Sequence, residues 1–189
     1  LFKEGPIEWM LEGASPSAAT PTLSPLREKA LKTLDRILPA PYGSQNWKDN
    51  PYHSEMKEGA YTNCVEFPRY YLGLLGKKLY AGYPPKTTKG WTDADGIKRP
   101  GPGDVYILCA TAKRDHTNAH VGIIYSTNWD NSNGLLWRTA DWGQVGGWDG
   151  KMVVRTYDPV AASLTGEAGS PYPQARAIFG WVDLDAYFS

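Results

Sequence analysis

Residues 104–125, which read DVYILCATAKRDHTNAHVGIIY, decide the fold of this 189-residue chain. The stretch begins and ends with runs rich in β-branched and aromatic residues, at 104–110 and 120–125, and a polar, turn-prone segment separates them. Runs of this composition and length are typical of β-strands. The sequence therefore predicts neighbouring strands here.

Similar runs follow toward the C-terminus and predict further strands at 135–140, 151–157 and 177–182. Upstream of the strands, the hydrophobic pattern is helical instead. Helices first and a run of antiparallel strands afterwards predict an α+β fold.

The first predicted helix has clear boundaries. Ser24 is its predicted N-cap, Pro25 its first helical residue, and apolar residues at helical spacing continue to Leu38. A second helical pattern starts at Cys64 and is closed by Gly76. Pro68 lies within it and disfavours helical angles at the preceding residue, so this helix is either kinked there or begins afresh.

Charge and composition exclude some classes of protein. The chain has 20 Lys and Arg residues against 20 Asp and Glu, so its formal net charge is zero at pH 7. A nucleic-acid-binding protein needs an excess of cationic residues to displace counterions from phosphates, so we expect no nucleic-acid partner. No run of about 18 apolar residues is present, so we expect no membrane-spanning helix.

The N-terminal part of the chain has a different composition from the rest. Residues 13–25 are small, polar and rich in proline, a composition that cannot bury enough apolar surface to fold. We therefore predict an N-terminal segment and tether at 1–23 and a single domain at 24–189.

Cys64 and His120 form the candidate catalytic pair. The predicted helix start at Cys64 offers unpaired backbone N–H groups and the positive end of a helix dipole, which stabilise a thiolate. A histidine beside a thiolate can hold the proton and deliver it to a leaving amine. Asp141, directly after the third predicted strand, is the candidate that orients the histidine ring. Gln144 and His53 are weaker candidates for that role.

Aromatic and polar residues near this pair predict a binding groove. Trp142 and Trp148 lie in glycine-bearing segments after the third predicted strand, where they would wall a groove for a glycan or a peptide stem. Gln144 and Asn63, the latter next to the nucleophile, complete the predicted substrate-binding set. Trp137 lies within a strand run, and we expect it in the core.

Short motifs follow one another in the chain: residues 63–67 read NCVEF, residues 102–105 read PGDV, and residues 120–124 read HVGII. In this order they resemble the NlpC/P60 and CHAP superfamily of cysteine peptidases and amidases, over about residues 60–145. The resemblance implies a papain-like α+β fold with N-terminal helices packed on an antiparallel β-sheet. It also implies that Cys64 is the nucleophile, His120 the base and Asp141 the third polar residue.

The same resemblance implies an activity. It is that of a hydrolase that cleaves amide bonds, most often in the peptide stems of bacterial peptidoglycan, without a cofactor or a metal. Combined with the tether, it implies a secreted antibacterial effector that acts in the periplasm or cell wall of a target bacterium. Expected partners are peptidoglycan or a peptide substrate, and an immunity protein that inhibits the enzyme.

Other interpretations use the same residues. The pair would serve equally in a thioesterase, an acyltransferase or a deamidase, and the tryptophans would also suit a non-catalytic glycan-binding module. Cys109, His116 and His120 are metal-ligand types, but an extended chain separates the histidines by about 13 Å. We therefore expect no metal, and we expect Cys109 in the core. Residues 93–96, DADG, are better explained as a turn than as a calcium loop.

Overall fold

The computed structural model describes residues 22–37, 64, 66–76, 88–90, 100–113, 118–128, 135–141, 151–158, 160–167 and 173–189. The helices are α1 (Pro25–Ile37), α2 (Glu66–Leu75) and α3 (Leu184–Phe188). The strands are β1 (Thr88–Gly90), β2 (Val105–Cys109), β3 (Asn118–Asn128), β4 (Leu135–Asp141), β5 (Lys151–Asp158), β6 (Ser163–Gly166) and β7 (Arg176–Val182). Every predicted strand is present, whereas β1, β6 and α3 are elements that the sequence did not predict.

The strands pair in the order β1-β7-β2-β3-β4-β5-β6, and β6 pairs back onto β7. This last pairing closes β2 to β7 into a six-stranded antiparallel barrel, and β1 adds to β7. The predicted papain-like α+β fold, with N-terminal helices packed on an antiparallel β-sheet, is therefore wrong. The described part of the chain is a closed β-barrel with few helices.

The short strand β6 makes the difference between an open and a closed sheet. It pairs with β5 through Tyr157 and Leu164, and with β7 through Ser163 and Ala177. Ala162, just before it, has a positive φ of 48°, a conformation that is uncommon for residues other than glycine. Because a strand of 4 residues carries little periodicity, the pairing that closes the barrel could not be predicted from the hydrophobic pattern.

Apolar residues pack on both sides of the barrel wall, because successive side chains of a strand alternate between its faces. The inner cluster draws on every barrel strand and on no helix: Tyr106, Leu108, Ile124, Trp137, Tyr157, Ala162, Leu164, Ile178 and Trp181. The outer cluster joins strand residues such as Val105 and Ile123 to the helices through Leu34, Tyr71 and Leu184. The prediction that Trp137 lies in the core is confirmed, since its side chain is fully buried.

The helices begin where local chemistry favours it. The Ser24 hydroxyl accepts a hydrogen bond from the N–H of Arg27, so the predicted N-cap is confirmed. Helix α2 begins at Glu66, which places Pro68 in the first turn, where the missing N–H has no intrahelical acceptor to lose. Among the described helices, none is both long enough and apolar enough to cross a membrane.

The Pro102-Gly103-Asp104 motif joins the helices to the barrel. The Asp104 carboxylate accepts the backbone N–H groups of Gly101 at 2.8 Å and Leu184 at 2.9 Å, and it pairs with Arg27 at 2.8 Å. Gly103 has a φ of +91°, and a Cβ there would lie 2.9 Å from the Leu184 side chain, so glycine is required. The motif therefore has a structural role, because it ties α1 and α3 to the start of β2.

Candidate active site

The structure brings the candidate catalytic residues together, although they come from separate elements. Cys64 is half-buried and precedes α2, His120 is a fully buried residue of β3, and Asp141 is the fully buried last residue of β4. The His120 ring lies beside the Cys64 thiol, close enough to lower the pKa of that thiol, and its Nε2 bonds to Asp141 Oδ1. The three side chains therefore form a continuous Cys–His–Asp relay.

The Cys64 thiol lies in surroundings that favour its ionised form. Burial alone raises the pKa of this thiol, but the hydrogen bond and charge of His120 outweigh burial. The backbone N–H groups of Val121 and of Cys64 itself also donate to the sulfur. The net result is a pKa of Cys64 below its ordinary value, which is the condition for a reactive thiolate.

The neighbours of His120 favour its protonated form. Burial lowers the pKa of the imidazole, but the hydrogen bonds to Asp141 and Cys64, together with their charges, raise it above its ordinary value. Because Nε2 is engaged with Asp141, Nδ1 is the ring nitrogen left to exchange a proton with Cys64. Both pKa shifts are in the direction that favours an imidazolium and a thiolate.

Asp141 is fixed by polar side chains on the inward faces of neighbouring strands. Tyr106 and Arg155 donate to its Oδ1, the latter at 3.3 Å, and Thr139 donates to Oδ2. Arg155 Nε also donates to the Thr139 hydroxyl at 3.2 Å. Burial raises the pKa of Asp141, but the charges of Arg155 and His120 hold it well below its ordinary range. The carboxylate is therefore ionised and has a single orientation.

Gly122 leaves the space in which this network assembles. It pairs with Tyr106 across β2 and β3, and the pairing of Ile123 with Ala140 brings Asp141 opposite it on β4. A Cβ at Gly122 would lie 2.6 Å from Asp141 Oδ1 and 2.8 Å from the Tyr106 hydroxyl. The glycine of the HVG motif is therefore needed so that these groups can meet.

Sequence reasoning missed Tyr106, Thr139 and Arg155. A signal was available in the strand period of two: Thr139 and Asp141 share a face with buried Trp137, and Arg155 shares a face with buried Tyr157. A charged residue at such an inward position has to be paired, because burying an isolated charge is costly. The pattern could therefore have indicated that Arg155 has a buried anionic partner, but not which residue that partner is.

Several predicted residues lie outside the described part of the chain. They are the substrate-binding candidates Asn63, Trp142, Gln144 and Trp148, together with His53, His116 and residues 93–96. Within the described ranges, no group of three or more His, Cys, Asp or Glu side chains is arranged to hold a metal ion.

The two cysteines play different roles. Both are free, so no disulfide blocks the Cys64 sulfur. Cys109 is fully buried in β2, which confirms its prediction as a core residue. Only Cys64 combines partial exposure with a histidine partner.

Comparisons of the chain with protein-family models, with curated proteins and with solved structures find no match.

Proposed function

We propose that this protein is a cysteine hydrolase that cleaves amide bonds, with Cys64 as nucleophile, His120 as general acid and base, and Asp141 as the residue that orients His120. One observation carries the proposal: a half-buried thiol lies beside a buried histidine, which is bonded in turn to a buried carboxylate. A nucleophile, a base and an orienting group that contact one another in this order are the arrangement used in covalent acyl transfer.

The chemistry proceeds in two halves. The Cys64 thiolate attacks the carbonyl carbon and forms a C–S bond. Because the sulfur loses its negative charge in this step, the backbone N–H of Cys64 that donated to it can donate to the oxyanion instead. His120 then gives its proton to the amide nitrogen, the C–N bond breaks, and the amine leaves behind a thioester. In the second half, His120 takes a proton from water and the resulting hydroxide attacks the thioester. The C–S bond then breaks, which releases the carboxylic acid and restores the Cys64 thiolate beside the protonated His120.

The protonation state of His120 supports an amide as the bond cleaved. An amine leaves only when it is protonated, so amide cleavage needs a general acid that is charged at neutral pH. Asp141 raises the pKa of His120 despite complete burial, because it bonds to the imidazolium. A thioesterase, whose thiolate leaving group needs no proton, would gain less from this arrangement.

The peptide stem of peptidoglycan is the substrate class that we assign. The ordered NCVEF, PGDV and HVGII motifs support this choice, as they resemble those of cell-wall amidases and endopeptidases. On the same resemblance, we propose that the protein is secreted and acts in the periplasm or cell wall of a target bacterium. We also propose that an immunity protein inhibits it.

The proposal predicts how activity depends on pH. The active pair requires an ionised Cys64 and a protonated His120, so the rate rises through the pKa of the thiol and falls through the pKa of the imidazole. Because the first pKa is lowered and the second is raised, we expect a wider active pH range than an unperturbed cysteine and histidine would give.

Incubation with purified peptidoglycan, followed by mass spectrometry of the fragments, tests the proposal directly. We expect new amine and carboxyl termini at one position of the stem peptide. Intact stems at high enzyme concentration would rule out the peptidoglycan assignment. A trapped thioester on Cys64 from an activated amide or ester probe would still separate an acyl-transfer enzyme from a glycan-binding module.

Variants of the two cysteines give a matched control. Cys64→Ala and His120→Ala should each reduce turnover by about a thousandfold or more, because nucleophile and base act as a unit. Cys109→Ala removes the other thiol and should retain most of the activity, since Cys109 is buried in the wall of the barrel. Equal loss from all three variants would contradict the assignment of Cys64.

A further inference from the structure

Arg155 is a fully buried cation that the proposed reaction does not use directly. Its side chain has no exposed surface, and it lies on the inward face of β5. Its guanidinium reaches Asp141 Oδ1 at 3.3 Å and the Thr139 hydroxyl at 3.2 Å, and its Cζ lies 5.8 Å from the centre of the Tyr106 ring. Burying a guanidinium is costly, so its contacts within this network need an explanation beyond packing.

The charges of the site alternate in sign along the relay. The titratable and charged groups that face it come from the segment before α2 and from β2, β3, β4 and β5: Cys64, Tyr106, His120, Asp141 and Arg155. Burial holds the pKa of Tyr106 well above its ordinary value, so this group donates to Asp141 as a neutral phenol. In space, the remaining groups follow one another in the order thiol, imidazole, carboxylate and guanidinium, and the pKa shifts of the first two favour the thiolate and the imidazolium.

This alternation matters when His120 changes charge. In the proposed cycle His120 gives its proton to the leaving amine and is briefly neutral. Without Arg155, Asp141 would at that moment be a buried carboxylate with no cation beside it, and it would compete with His120 for a proton. A guanidinium does not lose its proton in a protein, so Arg155 keeps its charge through every step.

We propose that Arg155 is a positioning residue of the Cys64 site: its guanidinium is the permanent counter-charge that keeps Asp141 ionised and directed at His120 while His120 loses and regains its proton. This inference rests on the proposed function. Arg155 reaches Asp141 because β5 lies beside β4, so the barrel fold itself would contribute to catalysis.

The pH dependence of Cys64 alkylation by iodoacetamide tests this role without any substrate. Site-specific mass spectrometry of the alkylated peptide reports Cys64 alone. Removing a nearby cation raises the pKa of every acid around it, so Arg155→Met should move the thiolate limb of the profile to higher pH by about one unit. A profile of Arg155→Met that superimposes on that of the wild type would overturn the inference.

Two further variants separate charge from hydrogen bonding. Arg155→Lys keeps the cation but not the planar fork, so its alkylation profile should stay near the wild-type position. Tyr106→Phe removes a donor to the same carboxylate oxygen without removing charge, and it should shift the profile clearly less than Arg155→Met. If Arg155→Met does not fold, Arg155→Lys decides: a shift of about one unit in that variant would overturn the role as counter-charge.

The wild-type profile distinguishes failure of this inference from failure of the proposed function. If wild-type Cys64 is alkylated with the profile of an ordinary thiol, the Cys64 and His120 pair is wrong and both proposals fall. If the wild-type limb lies at low pH and Arg155→Met leaves it there, only the role of Arg155 is wrong.

Discussion

Two buried aspartates of this protein each face an arginine, yet their pKa values move in opposite directions. Asp104 pairs with Arg27 outside the barrel, and Asp141 pairs with Arg155 inside it. Burial is the largest influence on both carboxyls. It raises the pKa of Asp104 to about 6, whereas the pKa of Asp141 falls well below its ordinary range.

The cations around each carboxylate explain the difference. Arg27 is partly exposed and also pairs with Asp183 and Asp185, so its charge is shared among several acids. Asp141 is reached by both Arg155 and His120, which are fully buried. Asp141 is therefore stabilised by two buried cations, whereas Asp104 shares one partly exposed cation with two other acids. The first cluster connects the helices to the barrel, and the second surrounds the proposed catalytic histidine.

The largest expected contrast is in activity. Asp141→Asn removes the charge that holds His120 as imidazolium, so we expect kcat/KM to fall by about a hundredfold. Asp104→Asn is the matched control, and it should change kcat/KM by less than about threefold, because Asp104 contacts α3 and α1 rather than the relay. Equal losses in kinetic assays of the folded variants would show that the two clusters do not differ in function.

Alanine at the glycine of each cluster should separate stability from activity. Gly122→Ala forces a Cβ against Asp141 and Tyr106, and we expect a loss of about 3 to 4 kcal/mol in the free energy of unfolding, together with loss of hydrolysis. Gly103→Ala forces a Cβ against Leu184 at a positive φ, and it should cost about 2 kcal/mol while the folded fraction stays active. Urea unfolding and turnover well below the melting temperature measure both effects, and wild-type turnover in Gly122→Ala would contradict the steric argument.

The opposite pKa shifts predict opposite pH dependences of stability. The pKa of Asp104 is raised from 3.8 to about 6 on folding, so its contribution is fully present below pH 3.8 and is lost as the pH rises through about 6. Relative to Asp104→Asn, the wild type should lose about 2 to 3 kcal/mol over this interval. The lowered pKa of Asp141 acts the other way, and its contribution is lost only as the pH falls below the ordinary range of an aspartate. Thermal unfolding of both proteins between pH 3.5 and 7 checks this, and a constant difference would contradict it.

The smallest effect is expected at the exposed end of the Arg27 cluster. Asp185 pairs with Arg27 at 2.7 Å, but nearly half of its side chain is exposed. Exposed ion pairs are screened by water and salt, so Asp185→Asn should cost about 0.5 kcal/mol, and less in high salt. Denaturant unfolding at low and high ionic strength measures the difference, and a cost above about 2 kcal/mol would mean that the pair is not screened.

Local structure was predictable to a large extent. The N-cap at Ser24 and the five strands from residue 104 onward follow from residue types and their spacing over short windows. Closure of the sheet was not predictable in this way, because it depends on the pairing of β6 with β7. That pairing links a 4-residue strand to a distant one, and no local periodicity reports it.

The candidate site divides along the same line. Cys64, His120 and Asp141 could be chosen from the sequence, since a nucleophile, a base and a carboxylate have recognisable chemistry near predicted element boundaries. The contacts of Tyr106 and Arg155 with Asp141 could not be predicted, because they depend on which strands lie side by side.

By itself, the sequence determined the chemical types available to this protein and the short segments that carry them. A thiol at the start of a helical pattern, a histidine in a strand and a neutral net charge are properties of residues and their near neighbours. Only the tertiary structure decided that the sheet is a closed barrel, and that the thiol, imidazole, carboxylate and guanidinium stand in one alternating row. The physical reason is that pairing across strands and mutual burial of charges depend on distances in space, which chain separation does not encode.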